Sequence, residues 1–330
     1  MKAIVYYQYG SPDILKLEEV QKPSPTDNEV LVKVHAVSLN YADWHLLRGE
    51  PFFLRLEAGL WNPKIKILGA DIAGQVEAVG KNVTQFRPGD QVFGDISSCG
   101  WGGLAEYVSV PENALVLKPV NLSFEEAAAV PMAAVTALQG IRDHGKIKPG
   151  QKVLIVGASG GVGTFAVQLA KAFGTEVTAV CSTSKLDMVR SIGADHVINY
   201  TKEDFSQNGK HYDLIIGANG YYSLPDYERA LTPTGTYICT GGSLAQIFES
   251  MLLGPLRSMN GSKKLKNMGV AKPSQKDLVA MKELLEAGKV IPVIDRCYPL
   301  SEVPAAFRYL GEGRAKGKVV IIVEQNGNER

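Results

Sequence analysis

The run Gly157-Ala158-Ser159-Gly160-Gly161-Val162-Gly163 follows the apolar stretch Val153-Leu154-Ile155-Val156 and precedes Phe165, Ala166, Leu169, Ala170 and Phe173, which recur at helical spacing. Glycines at such a turn let the backbone approach an anion closely. The first N–H groups of the following helix lack intrahelical partners and point at that anion along the positive end of the helix dipole. The chemistry these residues suit is pyrophosphate binding. Ala158 stands where the first glycine of G-x-G-x-x-G would be, so the motif is incomplete, and a plain tight loop would read the same way. Context favours the nucleotide. Val177-Thr178-Ala179-Val180-Cys181 arrives at the distance a βαβ crossover requires, and a further helix pattern begins near Lys185.

The end of that second strand selects the dinucleotide. A site for NAD usually places Asp or Glu there to accept from the ribose 2′-hydroxyl, whereas this chain has Ser182-Thr183-Ser184-Lys185. Hydroxyls and a lysine suit a 2′-phosphate, so NADPH is the expected cofactor. The alternative is that Ser182 caps the next helix and Lys185 is a solvated charge.

The elements that must position these groups can be read coarsely. Residues 1 to about 120 alternate short strand-like runs such as Ala3-Ile4-Val5-Tyr6, 29–34 and 75–79 with turns at Gly10-Ser11-Pro12-Asp13 and Arg87-Pro88-Gly89-Asp90. That pattern predicts a small β-barrel or rolled sheet. Residues 43–49 read as a short helix, and 51–66 as a long loop carrying Phe52, Phe53, Leu60 and Trp61, which either packs on the body or covers an apolar ligand. From Ser123, with Asn121 or Ser123 as cap, an alanine-rich helix runs through Pro131 to Gln139. Strands at 152–158, 176–182, 196–200, 212–218 and 235–240 then alternate with helices. This predicts an α/β, Rossmann-type doubly wound parallel sheet. A strand near 264–270, a helix over 274–287 stopped by Gly288, and a final strand at 319–323 that rejoins the first domain complete the chain. The boundaries drawn are 1–122, 123–270 and 271–330.

With 330 residues, 45% apolar and 21% charged, the composition is that of an ordinary globular protein of about two domains. A formal net charge of +1 gives no overall electrostatic case for nucleic acid or an anionic membrane. No run of 18 apolar residues suggests an integral membrane span. The opening MKAIVYYQYG enters a strand pattern at once, so the expected compartment is cytoplasmic. Cys99, Cys181, Cys239 and Cys297 are scattered without a C-x-x-C pair and read as reduced thiols.

Several further segments carry a resemblance. Residues 38–44 (SLNYADW), 69–80 (GADIAGQVEAVG), 87–92 (RPGDQV), 102–107 (GGLAEY), 127–139 and 193–200 (GADHVINY), in this order, resemble the medium-chain dehydrogenase/reductase superfamily. Within it the likeness is to the zinc-free quinone oxidoreductase branch, nearest to chloroplast-envelope quinone oxidoreductase homologues and alkenal/enone reductases. Ala218-Asn219-Gly220, Ser262-Lys263-Lys264 and Gly317-Lys318-Val319 support that branch.

The resemblance implies a GroES-like β-barrel catalytic domain formed from both chain ends, with the Rossmann domain inserted, and a cleft for nicotinamide and substrate. It implies that Asn40 and Thr136 lie near the nicotinamide, Gly241 and Gly242 near its carboxamide, Tyr200 near the adenosine phosphate, and Lys318 near the cofactor. Ser159, Gly160, Gly161, Val162 and Asn219 join Ser182, Thr183 and Lys185 as expected cofactor contacts. Zinc-dependent members place cysteine at Asn40 and histidine at Ala70; an amide and a methyl cannot hold Zn²⁺, and the histidines show no ligand spacing, so no metal is expected. Asn40 and Tyr41 are the candidate catalytic donors, and Tyr41, Trp44, Phe52 and Trp61 the candidate substrate contacts. For Tyr41 a ring stacked in the cleft without chemistry is the competing reading.

The activity implied is NADPH-dependent hydride transfer to the β-carbon of an α,β-unsaturated ketone or aldehyde. A quinone reductase and a non-catalytic NADPH-binding protein are the alternatives. A sheet edge near 264–270 adds the expectation of a homodimer.

Overall fold

The computed structural model describes residues 1–220, 222–259 and 262–323. The chain divides into two compact units: Met1–Met132 with Pro273–Glu286 and Pro292–Arg330, and Ala133–Lys272 with Ala287–Ile291.

The first unit is organised around Glu29–Leu39, an eleven-residue strand rich in valine whose alternate side chains enter the core. One edge pairs antiparallel with Asp71–Val79. The other edge pairs first with Tyr107–Pro111 and then, beyond residue 35, with Lys318–Ile322, so the C-terminal strand does return to the first unit. Ser38 thus lies opposite Asp71 on one side and Val320 on the other, and Leu39 lies opposite Val319. That register gathers Ser38, Asn40, Asp71 and Lys318 at one end of the sheet.

The helix Tyr41–Arg48 starts where the strand stops. Asp43 accepts a hydrogen bond from the Asn40 N–H at its start, and Gly49, at φ +59, closes its end. Ser123 rather than Asn121 caps Phe124–Ala128, in a reciprocal box with Glu126. The Asn121 amide instead donates to the Leu285 carbonyl at 3.0 Å. The single helix expected through Gln139 is broken before Pro131, which lacks an N–H and disfavours helical geometry at Val130; it resumes as Pro131–Leu138 and ends in the π turn Gln139–His144. The expected loop over 51–66 contains two short helical turns, Phe52–Leu54 and Arg55–Ala58.

The second unit is a six-stranded parallel sheet. Its spatial order is His196–Asn199, Glu176–Cys181, Lys152–Val156, Tyr212–Gly217, Leu231–Cys239, Lys264–Asn267, the 3-2-1-4-5-6 order of a dinucleotide-binding fold. Val153 to Val156 are buried, as a central strand covered on both faces requires. The strand order reverses between Lys152–Val156 and Tyr212–Gly217, and a ligand crevice forms at the carboxyl ends of such a pair. Among the described residues no helix is long and apolar enough to cross a membrane.

Candidate active site

The glycine turn sits at that reversal. Gly157, not the position of Ala158, supplies the left-handed residue: its φ is +79, and a Cβ there would lie 2.5 Å from the Asn219 carbonyl. The working pattern is therefore G-x-x-G-x-x-G, and Ala158 is simply a buried residue of the turn. Gly163 serves close packing, because a Cβ on it would fall 2.2 Å from the Gly157 carbonyl oxygen. Gly160 differs. It caps the helix Gly161–Ala172 from an extended conformation, and among the described residues its missing Cβ would meet only the Gly157 oxygen, at 3.7 Å. Among the described residues no atom demands glycine there, and a bare backbone at a helix N-terminus is the arrangement that lets an anion approach closely. Ser159 is buried, and Gly161 and Val162 open the helix, whose first N–H groups have no intrahelical partners. Asn219 follows the strand Tyr212–Gly217, whose extension is held by the Ala218 N–H on the Val156 carbonyl at 3.0 Å.

The corner beyond Cys181 is polar throughout. Ser182 precedes the 3-10 turn Thr183–Lys185 without a side-chain cap bond, which disfavours the capping alternative for its hydroxyl. Asn199 donates to Thr183 Oγ1 at 2.7 Å, and Tyr200, 55% exposed, leaves the neighbouring strand at the same level because Asn199 pairs with Cys181. Gly241 and Gly242 follow Leu231–Cys239. Gly242 has φ +125, and a Cβ on Gly241 would press on the Ala218 carbonyl at 2.8 Å. Thr136 is buried within Pro131–Leu138.

In the first unit a charged cluster fills the end of the sheet. Asp71 and Asp43 are fully buried, and the Lys318 side chain is 3% exposed. Asp71 Oδ2 accepts from Ser38 Oγ at 3.1 Å, Asn40 Nδ2 at 2.9 Å and Lys318 Nζ at 3.3 Å, while Oδ1 accepts from the Met132 N–H at 2.9 Å. Lys318 Nζ also donates to Asn40 Oδ1. Asp43 takes the Asn40 N–H at 2.8 Å and the Gly69 N–H at 2.9 Å. Burial pushes its carboxyl up to about 7 against the pull of those two donors, with Asp71 adding to the rise and Lys318 opposing it. Burial and then Asp71 raise Asp95 to about 6, against its Ser97 contacts and Lys318.

The four expected substrate contacts are placed differently from one another. Tyr41 is 47% exposed, and its hydroxyl donates to the Leu310 carbonyl at 3.3 Å. Trp44 packs on Gly311, where no Cβ would fit, with the Arg48 guanidinium 5.4 Å above its ring. Phe52 and Trp61 are exposed, with Leu56 exposed between them. Their segment is nonetheless anchored, since Arg55 Nε donates to the Gly49 carbonyl and the Tyr9 hydroxyl to that of Gly59.

Comparison with known proteins agrees with this architecture. Residues 26–120 match the alcohol dehydrogenase GroES-like domain, residues 192–321 the zinc-binding dehydrogenase domain, and residues 125–220 the alanine dehydrogenase/PNT C-terminal domain. The chain is 38% identical over 332 residues to 2-methylene-furan-3-one reductase of Solanum lycopersicum, covering 97% of this chain and 79% of that protein. The chain belongs to the medium-chain dehydrogenase/reductase family. It is also 36% identical to the chloroplast envelope quinone oxidoreductase homolog of Arabidopsis thaliana, over 97% of this chain and 98% of that one. Among solved structures, the quinone oxidoreductase from Coxiella burnetii superposes with a TM-score of 0.86 at 30% identity, covering 98% of this chain and 99% of that one. CurK enoyl reductase gives 0.84 at 29%, covering 98% and 99%. This medium-chain dehydrogenase/reductase is thus a nicotinamide-dependent oxidoreductase, with a GroES-like domain and a Rossmann domain.

The family's zinc does not suit this donor set. Where zinc-dependent members have ligands, Asn40 has its amide oxygen bound to an ammonium and its amide nitrogen to a carboxylate, and Ala70 is a buried methyl. Lys318 sets a positive charge against the Asn40 oxygen and Asp71, which would repel a cation there. Among the described residues no three His, Cys, Asp or Glu side chains are grouped as a metal site. Three of the five histidines have partners elsewhere: His35 stacks on Phe124 at 4.2 Å, His45 Nδ1 lies 2.9 Å from the Glu50 carbonyl, and His196 meets Glu176 at 3.0 Å. Asp71, Asp43 and Ser38 join the site without having been expected from the sequence. The available signal was the pair of aspartates in YAD and GAD, acidic residues beside apolar runs that a strand-end register can bury together.

Proposed function

We propose that this oxidoreductase is an NADPH-dependent, metal-independent reductase of the carbon–carbon double bond of enones and alkenals. The observation that carries this reading is the Asn40–Lys318–Asp71 cluster, an amide polarised by an ammonium at the position where zinc-dependent members hold their metal. Bound NADPH would supply the two-electron hydride that the substrate's β-carbon accepts, leaving NADP⁺. The carbonyl oxygen then gathers enolate charge, and an aligned N–H at Asn40 stabilises it as it forms. A proton from water completes the reaction at the α-carbon. The name of the tomato relative, a 2-methylene-furan-3-one reductase, supports an exocyclic enone as acceptor.

The preference for NADPH rests on Ser182, Thr183, Lys185 and Tyr200, a corner of hydroxyls and one cation with no carboxylate at its turn. Gly160, Gly161 and Val162 would hold the pyrophosphate, and Gly241 and Gly242 would present peptide groups to the carboxamide. Exposed Phe52 and Trp61, with Tyr41, offer apolar contact to the acceptor. A quinone would use the same hydride donor, and the relatives named quinone oxidoreductase favour it as the second acceptor class. The strand Lys264–Asn267 ends the Rossmann sheet beside a helix exposing Met251, Leu252 and Leu256, which supports a homodimer built on that edge.

The test is an NADPH-consumption screen across enones, alkenals, quinones and simple ketones, with product analysis identifying the bond reduced. Saturated ketone products support the proposal. Allylic alcohols, or turnover confined to simple ketones, overturn it.

A further inference from the structure

Asn40 is held in one orientation by groups of opposite chemistry. Lys318 Nζ can only donate, so the amide atom it meets must be the oxygen; the Asp71 carboxylate accepts, so the atom facing it must be the nitrogen. An amide side chain in most surroundings can exchange its two ends by a half-turn. Here that turn would set nitrogen against an ammonium and oxygen against a carboxylate. Asp71 is itself fixed from all sides, by Ser38, Lys318 and the Met132 N–H. Both charges are buried, and each compensates the other.

The amide's hydrogen-bonding capacity is unevenly used. One Nδ2–H is spent on Asp71 at 2.9 Å, whereas the other reaches only the Ser38 carbonyl at 3.5 Å, beyond the ordinary range. Asn40 is partly exposed while its two charged neighbours are buried. The second N–H is therefore the one a ligand oxygen can capture. An ammonium on Oδ1 also withdraws charge through the amide and strengthens that N–H as a donor.

We propose that Asp71 and Lys318 are positioning residues, a buried charged clamp that fixes and polarises the Asn40 amide so that its second Nδ2–H meets the developing enolate oxygen. The inference rests on the enone-reductase reading and assigns the two charges to acceptor activation, not to cofactor binding. Because the clamp acts through Asn40, removing either charge matters only while the amide is present. The effect must also scale with how much oxyanion stabilisation the acceptor needs. A simple enone depends on it strongly, while an electron-poor quinone distributes the incoming charge over its own conjugated system.

The test compares Lys318→Gln, Asp71→Asn and the charge-neutral double variant Asp71→Asn/Lys318→Gln, each alone and with Asn40→Ala. The double variant leaves no unpaired buried charge, so it keeps the question answerable if a single variant does not fold. Measured are kcat and KM for a simple enone and a benzoquinone, and the NADPH dissociation constant by titration. The expected result is a fall of about 10- to 100-fold in kcat for the enone. The expected changes in quinone turnover and in the NADPH constant are below about threefold, and the clamp variants add no further loss once Asn40 is alanine. Equal losses for both acceptors, multiplying effects in the Asn40→Ala background, or a tenfold rise in the NADPH constant would each overturn the clamp. Failure of the enone reading is distinguishable, because the unmodified protein would then not reduce the enone at all.

Discussion

Replacing Gly160 by alanine separates ligand demand from protein demand. Among the described residues the new Cβ meets nothing closer than 3.7 Å, and the backbone at φ −87 accepts an L-residue without strain. Alanine is a poorer helix N-cap than glycine by roughly 0.5–1 kcal/mol, while the reduced freedom of the unfolded chain returns about 0.4–1 kcal/mol. Stability should therefore change by less than about 1 kcal/mol. The methyl group nevertheless stands at the helix start, where the pyrophosphate must approach. Displacing it by the width of a methyl forfeits at least one charge-assisted N–H contact, about 1.5–3 kcal/mol, or roughly ten- to a hundredfold in affinity. The assay is an NADPH titration followed by fluorescence, with thermal unfolding of the unliganded protein as the control. Gly163→Ala is the contrasting variant. Its Cβ would lie 2.2 Å from the Gly157 oxygen, so it should lower the unfolding temperature as well. An unchanged NADPH affinity in folded Gly160→Ala would refute the placement of the phosphate.

Lys185→Ala should weaken NADPH by about ten- to a hundredfold and leave NADH unaffected; equal losses in parallel titrations would remove Lys185 from the 2′-phosphate site. Asp43→Ala strands the Asn40 and Gly69 N–H groups and should cost roughly 2–6 kcal/mol in urea unfolding, a loss under 1 kcal/mol being incompatible with those bonds. The native carboxyl of Asp43 holds its proton up to about 7, well above the unfolded value, so its contribution is fully present below the unfolded value and disappears as pH rises through about 7. Asp43→Asn should flatten that part of the stability–pH curve, and parallel curves for the two proteins would contradict the assignment. Tyr41→Phe loses a hydroxyl that donates to the Leu310 carbonyl, so enone turnover at saturating NADPH should fall less than about threefold; a larger loss restores Tyr41 as a chemical donor.

The chain's local grammar decided the fold class. Apolar runs of the length of buried strands, glycines at their ends and helical spacing between them leave few alternatives to a doubly wound sheet, because periodicity and turn chemistry act over short distances. The glycine turn was legible for the same reason, although its first working glycine is Gly157 and its φ had to be seen. The alanine-rich helix was legible in kind but not in length, since Pro131 interrupts it by local sterics. Asn40 and Lys318 were each legible only through resemblance.

What only the tertiary structure decided is the company those residues keep. Asn40 and Lys318 are separated by most of the chain, and they meet because Lys318–Ile322 pairs antiparallel with Glu29–Leu39 in one particular register. A shift of one residue would send every side chain of that strand to the opposite face. The same register buries Asp71 between Ser38, Asn40 and Lys318 and turns an unremarked aspartate into the anchor of the cluster. Residue types set what chemistry was possible. Long-range pairing, which no local pattern encodes, set which groups perform it together.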